Sequence, residues 1–286
     1  MSVGYAVKTI NPTRVVVIFD GKDGSSKRKA IFPDYKAKRK VKIRLNRSLD
    51  VDSQDTQLLQ LFRLIEYLEI MPITTITIDK SEADDVIAYI ANNYLKNKDS
   101  NAYIMSSDKD FMQLVDDRIK VWSPTKKKMF EQQDVQLDFG VCPQNFALYR
   151  SLIGDTSDNI PGVVGLGAPT LLEKFPDLSI QPMTLNQFFD YARVLAADSK
   201  AKIYQKVLQA ESDVRMYYEI IQLNDSNINT SNKMKIMDSL ESEVPKLSNI
   251  KFHTMLLQDG MTATIKNPEL WLREVTKKLD QHSLDI

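Results

Sequence analysis

A single cysteine, Cys142, in a chain of 286 residues leaves no partner for an internal disulfide. The fold must then rest on its core, and a reducing cytosol is the natural setting. No apolar run approaches the roughly 20 residues needed to cross a bilayer, and no signal peptide opens the sequence. Only two histidines occur, His253 and His282, with no partner at metal-ligand spacing, which argues against a zinc site built on imidazole or thiolate. Net charge is missing too, since 38 Lys and Arg balance 38 Asp and Glu. With 43% hydrophobic and 27% charged residues, the composition is that of an ordinary globular protein. Its length suits one large domain, or a core with a smaller one. Cys142, following Gly140-Val141 in a loop, reads as a buried small residue.

The zero net charge conceals a separation. Between Lys27 and Arg47 lie ten basic residues (Lys27, Arg28, Lys29, Lys36, Lys38, Arg39, Lys40, Lys42, Arg44, Arg47) against one acid, Asp34. Acids elsewhere gather in tight pairs: Asp84-Asp85, Asp108 with Asp110, Asp116-Asp117, and Asp155 with Asp158. A chain so divided can hold a polyanion with one region and metal ions with the other. A charge run is more often just a solvated helix face, but the near-absence of acids weighs against that here.

The first part of the chain alternates strand and helix signals. Val15-Val-Val-Ile-Phe19 is a β-branched and aromatic run suited to a buried strand. Apolar residues Leu58, Leu59, Leu61, Phe62, Ile65 and Leu68 recur at helical spacing, and Ile73 to Ile78 predicts a second strand. Ser81 has the form of an N-cap with Asp84 in a capping-box relation, opening a helix from Glu82 to about Leu95. Ala102-Tyr-Ile-Met105 is a third strand, followed by a helix over Lys109 to Val115. Ile119 to Phe130 predicts a hairpin turning at Pro124-Thr125. Beyond Gly140 the pattern is helical to about Leu223, with a glycine-rich interruption at Gly162 to Gly167. Residues 224–246 predict loops with one short helix, and Leu270, Trp271, Leu272 and Val275 a packed terminal helix. Strands alternating with helices imply a mostly parallel sheet with right-handed crossovers.

The acids fall where such a sheet places its ligands. Asp20 follows the first strand, Glu82, Asp84 and Asp85 open the helix after the second, and Asp108 and Asp110 follow the third. These points share the carboxyl edge of a parallel sheet, and Asp155 and Asp158 could reach it from outside. A lone acid at a helix start is more often a cap, by roughly two to one. Acids at three strand ends in series favour metal binding. Converging carboxylates repel and raise one another's pKa, which divalent cations relieve, and an all-oxygen ligand set suits Mg²⁺ or Mn²⁺. Two ions roughly 4 Å apart can activate a water and stabilise both oxygens of a phosphoryl displacement.

The segments Phe19-Asp20, Ser81-Glu-Ala-Asp-Asp-Val-Ile87, Ser107-Asp-Lys-Asp-Phe-Met-Gln-Leu-Val115 and Gly154-Asp-Thr-Ser-Asp-Asn-Ile-Pro-Gly-Val-Val-Gly-Leu-Gly167 resemble the 5′-nuclease domain of bacterial DNA polymerase I. They resemble the related phage flap endonucleases and 5′ exonucleases as well. Order and spacing agree from about Asn11 to Asp225. The last motif is long and highly specific, the Glu-Ala-Asp-Asp segment nearly so, and a Phe-Asp pair alone carries nothing. The resemblance implies an α/β fold with a mostly parallel sheet flanked by helices, a PIN-like 5′-nuclease core over residues 1–140. A helical DNA-binding region with a helix-3-turn-helix hairpin would follow over 141–286. Carried over by position, Asp20, Glu82 and Asp84 would hold a first metal, with Asp85 nearby. Asp108, Asp110, Asp155 and Asp158 would serve a second, directly or through water. Two Mg²⁺, replaceable by Mn²⁺, are the implied cofactors. Arg28, Tyr35, Lys36 and Arg39 match the basic helix beside the scissile phosphate, with Arg28, Lys36 and Arg39 in catalytic roles. Tyr35, Lys38, Lys40 and Lys42 would contact DNA. Gly162, Gly165 and Gly167 match the duplex-gripping hairpin, whose carbonyls in relatives also hold K⁺. Alone, such a glycine run is usually just a turn.

The implied activity is that of a structure-specific 5′ nuclease, a 5′-3′ exonuclease and flap endonuclease acting on flapped, nicked or RNA-primed DNA in replication. Its implied partners are flaps, nicks, 5′ ends and RNA·DNA primers, with replication proteins as a further class. The chain reads as a cytoplasmic monomer without membrane contact, and a nuclease with no attached polymerase leans toward a phage in its bacterial host. The amino terminus departs from the pattern. Relatives open with a strand ending in a catalytic Asp-Gly, whereas this chain opens in the helix before the matched strand, at Val3-Gly-Tyr-Ala-Val-Lys-Thr-Ile10. Either an upstream piece exists or the member is degraded, and the intact later acids favour the first. The alternative function is accordingly a catalytically impaired DNA-junction binding protein. A ribonuclease of the wider acidic-site fold ranks third, opposed by the Gly154–Gly167 motif.

Overall fold

The computed structural model describes residues 2–38, 54–199, 201–265 and 267–282. Strands and helices alternate over its first half, giving an α/β fold of small, mostly parallel sheets among many helices. The expected sheet is divided in two. β1 (Val16–Asp20) pairs in parallel with β2 (Thr74–Ile78), Val16 opposite Thr74. β3 (Ala102–Met105) pairs in parallel with β4 (Ile119–Ser123), and β5 (Lys128–Phe130) joins β4 antiparallel through the expected hairpin turn.

Packing also divides the chain into two compact units: Met1–Asp20, Val41–Ile78 and Thr230–Ile286 in one, Gly21–Lys40 and Asp79–Asn229 in the other. The first holds β1 and β2 with a core that includes Val7, Leu68, Met71, Ile73, Leu272, Val275 and Leu279. Its terminal helix runs Pro268–His282, with Trp271 stacked on Phe252 at 5.9 Å. Leu270, expected in that packed face, is 40% exposed because it lies off the Leu272–Val275–Leu279 stripe. Thr230–Glu241 is a full helix where a loop with a short helix was expected. Its buried face, Asn232, Ile236 and Leu240, carries only two apolar residues, too few to show as a period.

The second unit has an aromatic core in which Phe111, Phe130, Phe146, Phe175, Phe188 and Phe189 are fully buried. Its first long helix starts at Ala83 with Glu82 at the N-cap, one residue later than Ser81 predicts. The reason lies in the backbone: the Ser81 carbonyl accepts the Gly21 N–H, and Glu82 gives the first helical acceptor, to Val86. That helix passes through a π-helical stretch, Ile90–Tyr94, before ending at Asn97. The segment after β3 is a 3-10 helix, Lys109–Leu114, where an α-helix was expected.

Between the helices Phe146–Ile153 and Ala168–Lys174 the chain makes a tight double turn. Asp155 and Ile160 exchange two backbone hydrogen bonds of 2.7 Å across it. Gly154 and Gly162 sit back to back there: a Cβ on Gly162, at φ +68°, would stand 2.4 Å from the Gly154 nitrogen. Gly165, at φ +82°, is nearly open, with only the flexible end of Lys206 within 4 Å. Gly162→Ala should therefore cost about 3 kcal/mol or more in urea unfolding, and Gly165→Ala about 1 kcal/mol, the left-handed strain alone. Equal losses would show that backbone approach at Gly162 does not fix this turn.

Candidate metal centre

Asp110, Asp155 and Asp158 each bring one carboxylate oxygen to within 4.8 Å of the others. All three belong to the second unit. Asp108 is the N-cap of the 3-10 helix, and its carboxylate accepts the Asp110 N–H at 2.9 Å. Phe111, Met112 and Leu114, all buried, anchor that turn. Gln113 ties it further: its amide donates to the carbonyls of Asp110 (2.8 Å) and Ile221 (3.1 Å), while its oxygen accepts the Leu223 N–H at 2.8 Å. In the double turn, the Asp155 carboxylate accepts the Ser157 N–H and hydroxyl at 2.8 and 2.7 Å. Arg150 enters the group, pairing with Asp155 and, at 3.3 Å, with Asp110.

Crowding shows in the proton affinities. Burial first, then the neighbouring Asp108 charge, push the Asp110 carboxyl up to about 7, against the opposing pull of Arg150. Burial acts the same way on Asp155, but the Ser157 hydroxyl, Arg150 and the Ser157 N–H together hold it below the ordinary carboxylate value. Carboxylates whose proton affinity is raised by burial and by one another fit a divalent cation, and the all-carboxylate donors suit Mg²⁺ or Mn²⁺.

A second ionic group lies in the same unit. Arg28, 7% exposed, donates to Glu82 (2.7 Å), to both oxygens of Asp85 (2.6 and 2.8 Å) and to the Ile220 carbonyl (2.8 Å). Glu82 also accepts from Lys36 at 2.7 Å and from the Tyr35 hydroxyl at 3.1 Å, and Asp85 from the Asn227 amide at 2.8 Å. The loop bearing Tyr35 and Lys36 docks on the double turn, where the Lys36 N–H meets the Asp158 carbonyl at 3.0 Å and the Asn159 amide meets the Asp34 carbonyl.

The structure thus sorts the residues singled out by sequence. Asp110, Asp155 and Asp158 come together, while Asp108 acts on them as a backbone cap. Glu82 and Asp85 are engaged by Arg28. Asp84 lies half-buried in the same helical turn as Asp85, and Asp20 is exposed at the end of β1 in the first unit. Tyr35, expected on DNA, is 3% exposed, because its ring packs with Ala147, Ile160, Tyr217 and Ile220. Arg28, expected beside a phosphate, spends most of its N–H groups on internal acceptors. Lys38 is exposed, Gly162, Gly165 and Gly167 line the turn, and Arg39, Lys40 and Lys42 lie outside the described residues. Sequence reading missed Arg150, Gln113 and Asn227. Arg150 had a usable signal, as the lone charge in the helix Phe146–Ile153, one turn before the Gly-Asp motif.

A family profile described as "5'-3' exonuclease, N-terminal resolvase-like domain" matches residues 2–140. The chain is 33% identical over 167 residues to a 5'-3' exonuclease of Aquifex aeolicus, covering 58% of this chain and 53% of that protein. It is 33% identical over 162 residues to the flap endonuclease Xni of Shewanella pealeana, covering 57% and 58%. The chain therefore spans a little over half the length of these curated relatives. Among solved structures, a T5 protein co-crystallised with metal ions superposes with a TM-score of 0.65 at 21% identity, covering 84% of this chain and 88% of that one. A T5 flap endonuclease in complex with DNA and metal ions gives 0.59 at 17%, covering 98% and 89%. At these identities the likeness is one of fold.

Two outcomes follow from the geometry. Without metal, the folded protein keeps a proton on Asp110 between about pH 4 and 7 that the unfolded chain releases. That contribution is fully present below about pH 4 and is lost as pH rises through about 7. Measured against Asp110→Asn in EDTA, wild-type unfolding free energy should fall on the order of 2–4 kcal/mol across that window. A pH-independent difference would place the carboxyl in water. Separately, Arg28→Gln should cost about 3–5 kcal/mol, since Glu82 and Asp85 lose a buried partner. Unchanged stability would mean that the guanidinium is free for a ligand.

Proposed function

This chain belongs to the 5′-3′ exonuclease and flap endonuclease family, and from that premise we propose that it is a divalent-metal-dependent nuclease hydrolysing phosphodiesters near 5′ ends in flapped, nicked or RNA-primed DNA. The observation that carries the reading is the Asp110, Asp155 and Asp158 group, brought together by fixed backbone and crowded enough to raise the proton affinity of Asp110. A bound Mg²⁺ would supply a polarised water and a counter-charge for the phosphoryl oxygens. The residues that would hold it are these three, with Asp108 keeping Asp110 in register through its N–H.

Arg150, already between Asp110 and Asp155, limits repulsion before metal arrives and orients both carboxylates. The residues that would hold a second Mg²⁺ are Glu82 and Asp84, and Glu82 would then exchange some of the donors it now accepts, Arg28, Lys36 and Tyr35. Lys36 would then be freed to meet the scissile phosphate, so phosphate arrival and ligand release are coupled through one side chain. The turn Gly162–Gly167 would receive the duplex backbone at its apex, where Gly165 is nearly open and Val164 is exposed. Relatives named as 5'-3' exonuclease and flap endonuclease, and a T5 structure holding DNA with metal ions, support this reading.

The test is a single-turnover assay on a 5′-flap duplex with saturating Mg²⁺. Asp110→Asn with Asp155→Asn should slow cleavage by about 10³-fold or more, the several kcal/mol that a metal site supplies. Affinity for the same DNA in EDTA should stay within about twofold, because positioning comes from other groups. Calorimetry should show Mn²⁺ binding weakened in the double variant. Unchanged Mn²⁺ binding would remove the metal assignment, and wild-type DNA binding without cleavage would leave a junction-binding protein.

A further inference from the structure

The helix Glu211–Ile221 ends without the usual closures. No glycine follows it, and no basic residue lies in its last turn. Gln222 returns its N–H to the Tyr218 carbonyl, and the backbone there is already extended. The last carbonyls therefore lack helical donors, and with Ile220 and Ile221 only 1% and 3% exposed, little water reaches them. Side chains from outside the helix take three consecutive carbonyls instead. Ile220 accepts the Arg28 Nε–H at 2.8 Å, Ile221 accepts the Gln113 amide at 3.1 Å, and Gln222 accepts the Asn227 amide at 3.2 Å. Gln113 completes the set by accepting the Leu223 N–H at 2.8 Å.

Each of these three side chains also holds one of the two acid groups. Arg28 donates to Glu82 and to both oxygens of Asp85, and the Asn227 amide reaches Asp85 at 2.8 Å. Gln113 donates to the backbone carbonyl of Asp110, whose carboxylate joins Asp155 and Asp158. The two groups are thus fastened to neighbouring peptide units, and planar peptides linked in series do not shift independently. The helix itself is seated by its buried face, Val214, Tyr217, Ile220 and Ile221. Arg28 gains further from its place at the negative end of the helix dipole. Gln113 carries no charge and meets Asp110 only through the main chain, so its influence on that carboxylate is one of placement.

We propose that Gln113 is a positioning residue of the metal centre, and that the end of the helix Glu211–Ile221 is a common strut setting the placement of both acid groups. The inference rests on the nuclease reading for its metal, but not for the strut. Two measurements test it: calorimetric titration with Mn²⁺, and hydrogen exchange of the Arg28 Nε–H followed by NMR in EDTA. Gln113→Met keeps the length of the side chain and every carboxylate while removing three hydrogen bonds. It should weaken Mn²⁺ binding by about 10–100-fold, as loss of a group that orients a ligand does. It should also speed exchange at Arg28 several-fold, because the helix end is loosened. Asp110→Asn keeps the backbone carbonyl that Gln113 holds, so it should weaken Mn²⁺ binding and leave the Arg28 exchange unchanged. Val135→Ala, a cavity at a fully buried position of the same core, should change neither. Should Gln113→Met not fold, Gln113→Asn shortens the amide's reach and should show both effects at smaller size. Wild-type Mn²⁺ affinity in the Gln113 variant overturns the positioning role, and unchanged Arg28 exchange overturns the strut. Equal changes in Val135→Ala overturn both, since lost stability alone would then suffice. If the wild-type chain binds no Mn²⁺, the nuclease reading fails, and the exchange measurement still decides whether the strut exists.

Discussion

Carboxylates held within 4.8 Å of one another repel, and the centre of this protein is arranged around containing that repulsion. A loose chain would let the acids drift into water. Here each acid hangs from a backbone that cannot yield. Asp110 is capped by Asp108 and tied by Gln113, while Asp155 is closed into a two-bond bridge with Ile160. The bridge exists only because Gly154 and Gly162 allow peptide groups to meet where any Cβ would intrude. Arg150 offsets part of the charge that the frame must resist, and burial raises the proton affinity of Asp110.

The two ionic groups of the second unit differ in their balance, and that difference separates their roles. Around Glu82 and Asp85 two acids face two cations, Arg28 and Lys36, and Asn227 and Tyr35 fill the remaining acceptor sites. Such a closed network is costly to break but adds little net stability over apolar packing, so its value lies in fixing geometry. Around Asp110 three acids come together, with Asp108 adjoining, and Arg150 pairs with two of them. Burial and neighbouring negative charge raise the proton affinity of Asp110, as a site suited to a divalent cation would. The loop of Tyr35 and Lys36 touches both, through the Lys36 ammonium on Glu82 and the Lys36 N–H on the Asp158 carbonyl, so a displacement of this loop would be felt by each.

Much of this was legible from residue patterns. β1, β2 and β3 appear within a residue of the runs that predict them, because β-branched and aromatic residues fit a pleated, half-buried surface even where, as in β2 and β3, alternate residues are exposed. The acids after β3 and in the Gly154–Gly167 motif were legible from placement and resemblance alike. What stayed hidden was partner choice. Nothing in the spacing of Arg28 says that its guanidinium turns inward to Asp85, 57 positions away. Nor does Gln113 advertise that it joins the Asp110 turn to Leu223, 110 positions on. The helix Thr230–Glu241 was missed for a plainer reason: with only Ile236 and Leu240 as buried apolar residues, it shows almost no period. Long-range pairing and thin amphipathicity leave no local trace.

The same partner choices bear on how a chain without net charge would meet the polyanion of the proposed function. Net charge governs interactions at distances where individual groups blur, but salt screens beyond about 8–10 Å, so a phosphate senses only its neighbours. The acidic surplus here is sunk among Asp110, Asp155 and Asp158, where a divalent ion would cancel it. Lys202 and Lys206 stand exposed, with no acidic partner among the described residues. On the proposed function, a divalent ion bound at this centre would shift the protein toward positive charge and weaken its local repulsion toward a phosphate, an effect that the balance of 38 against 38 does not reveal.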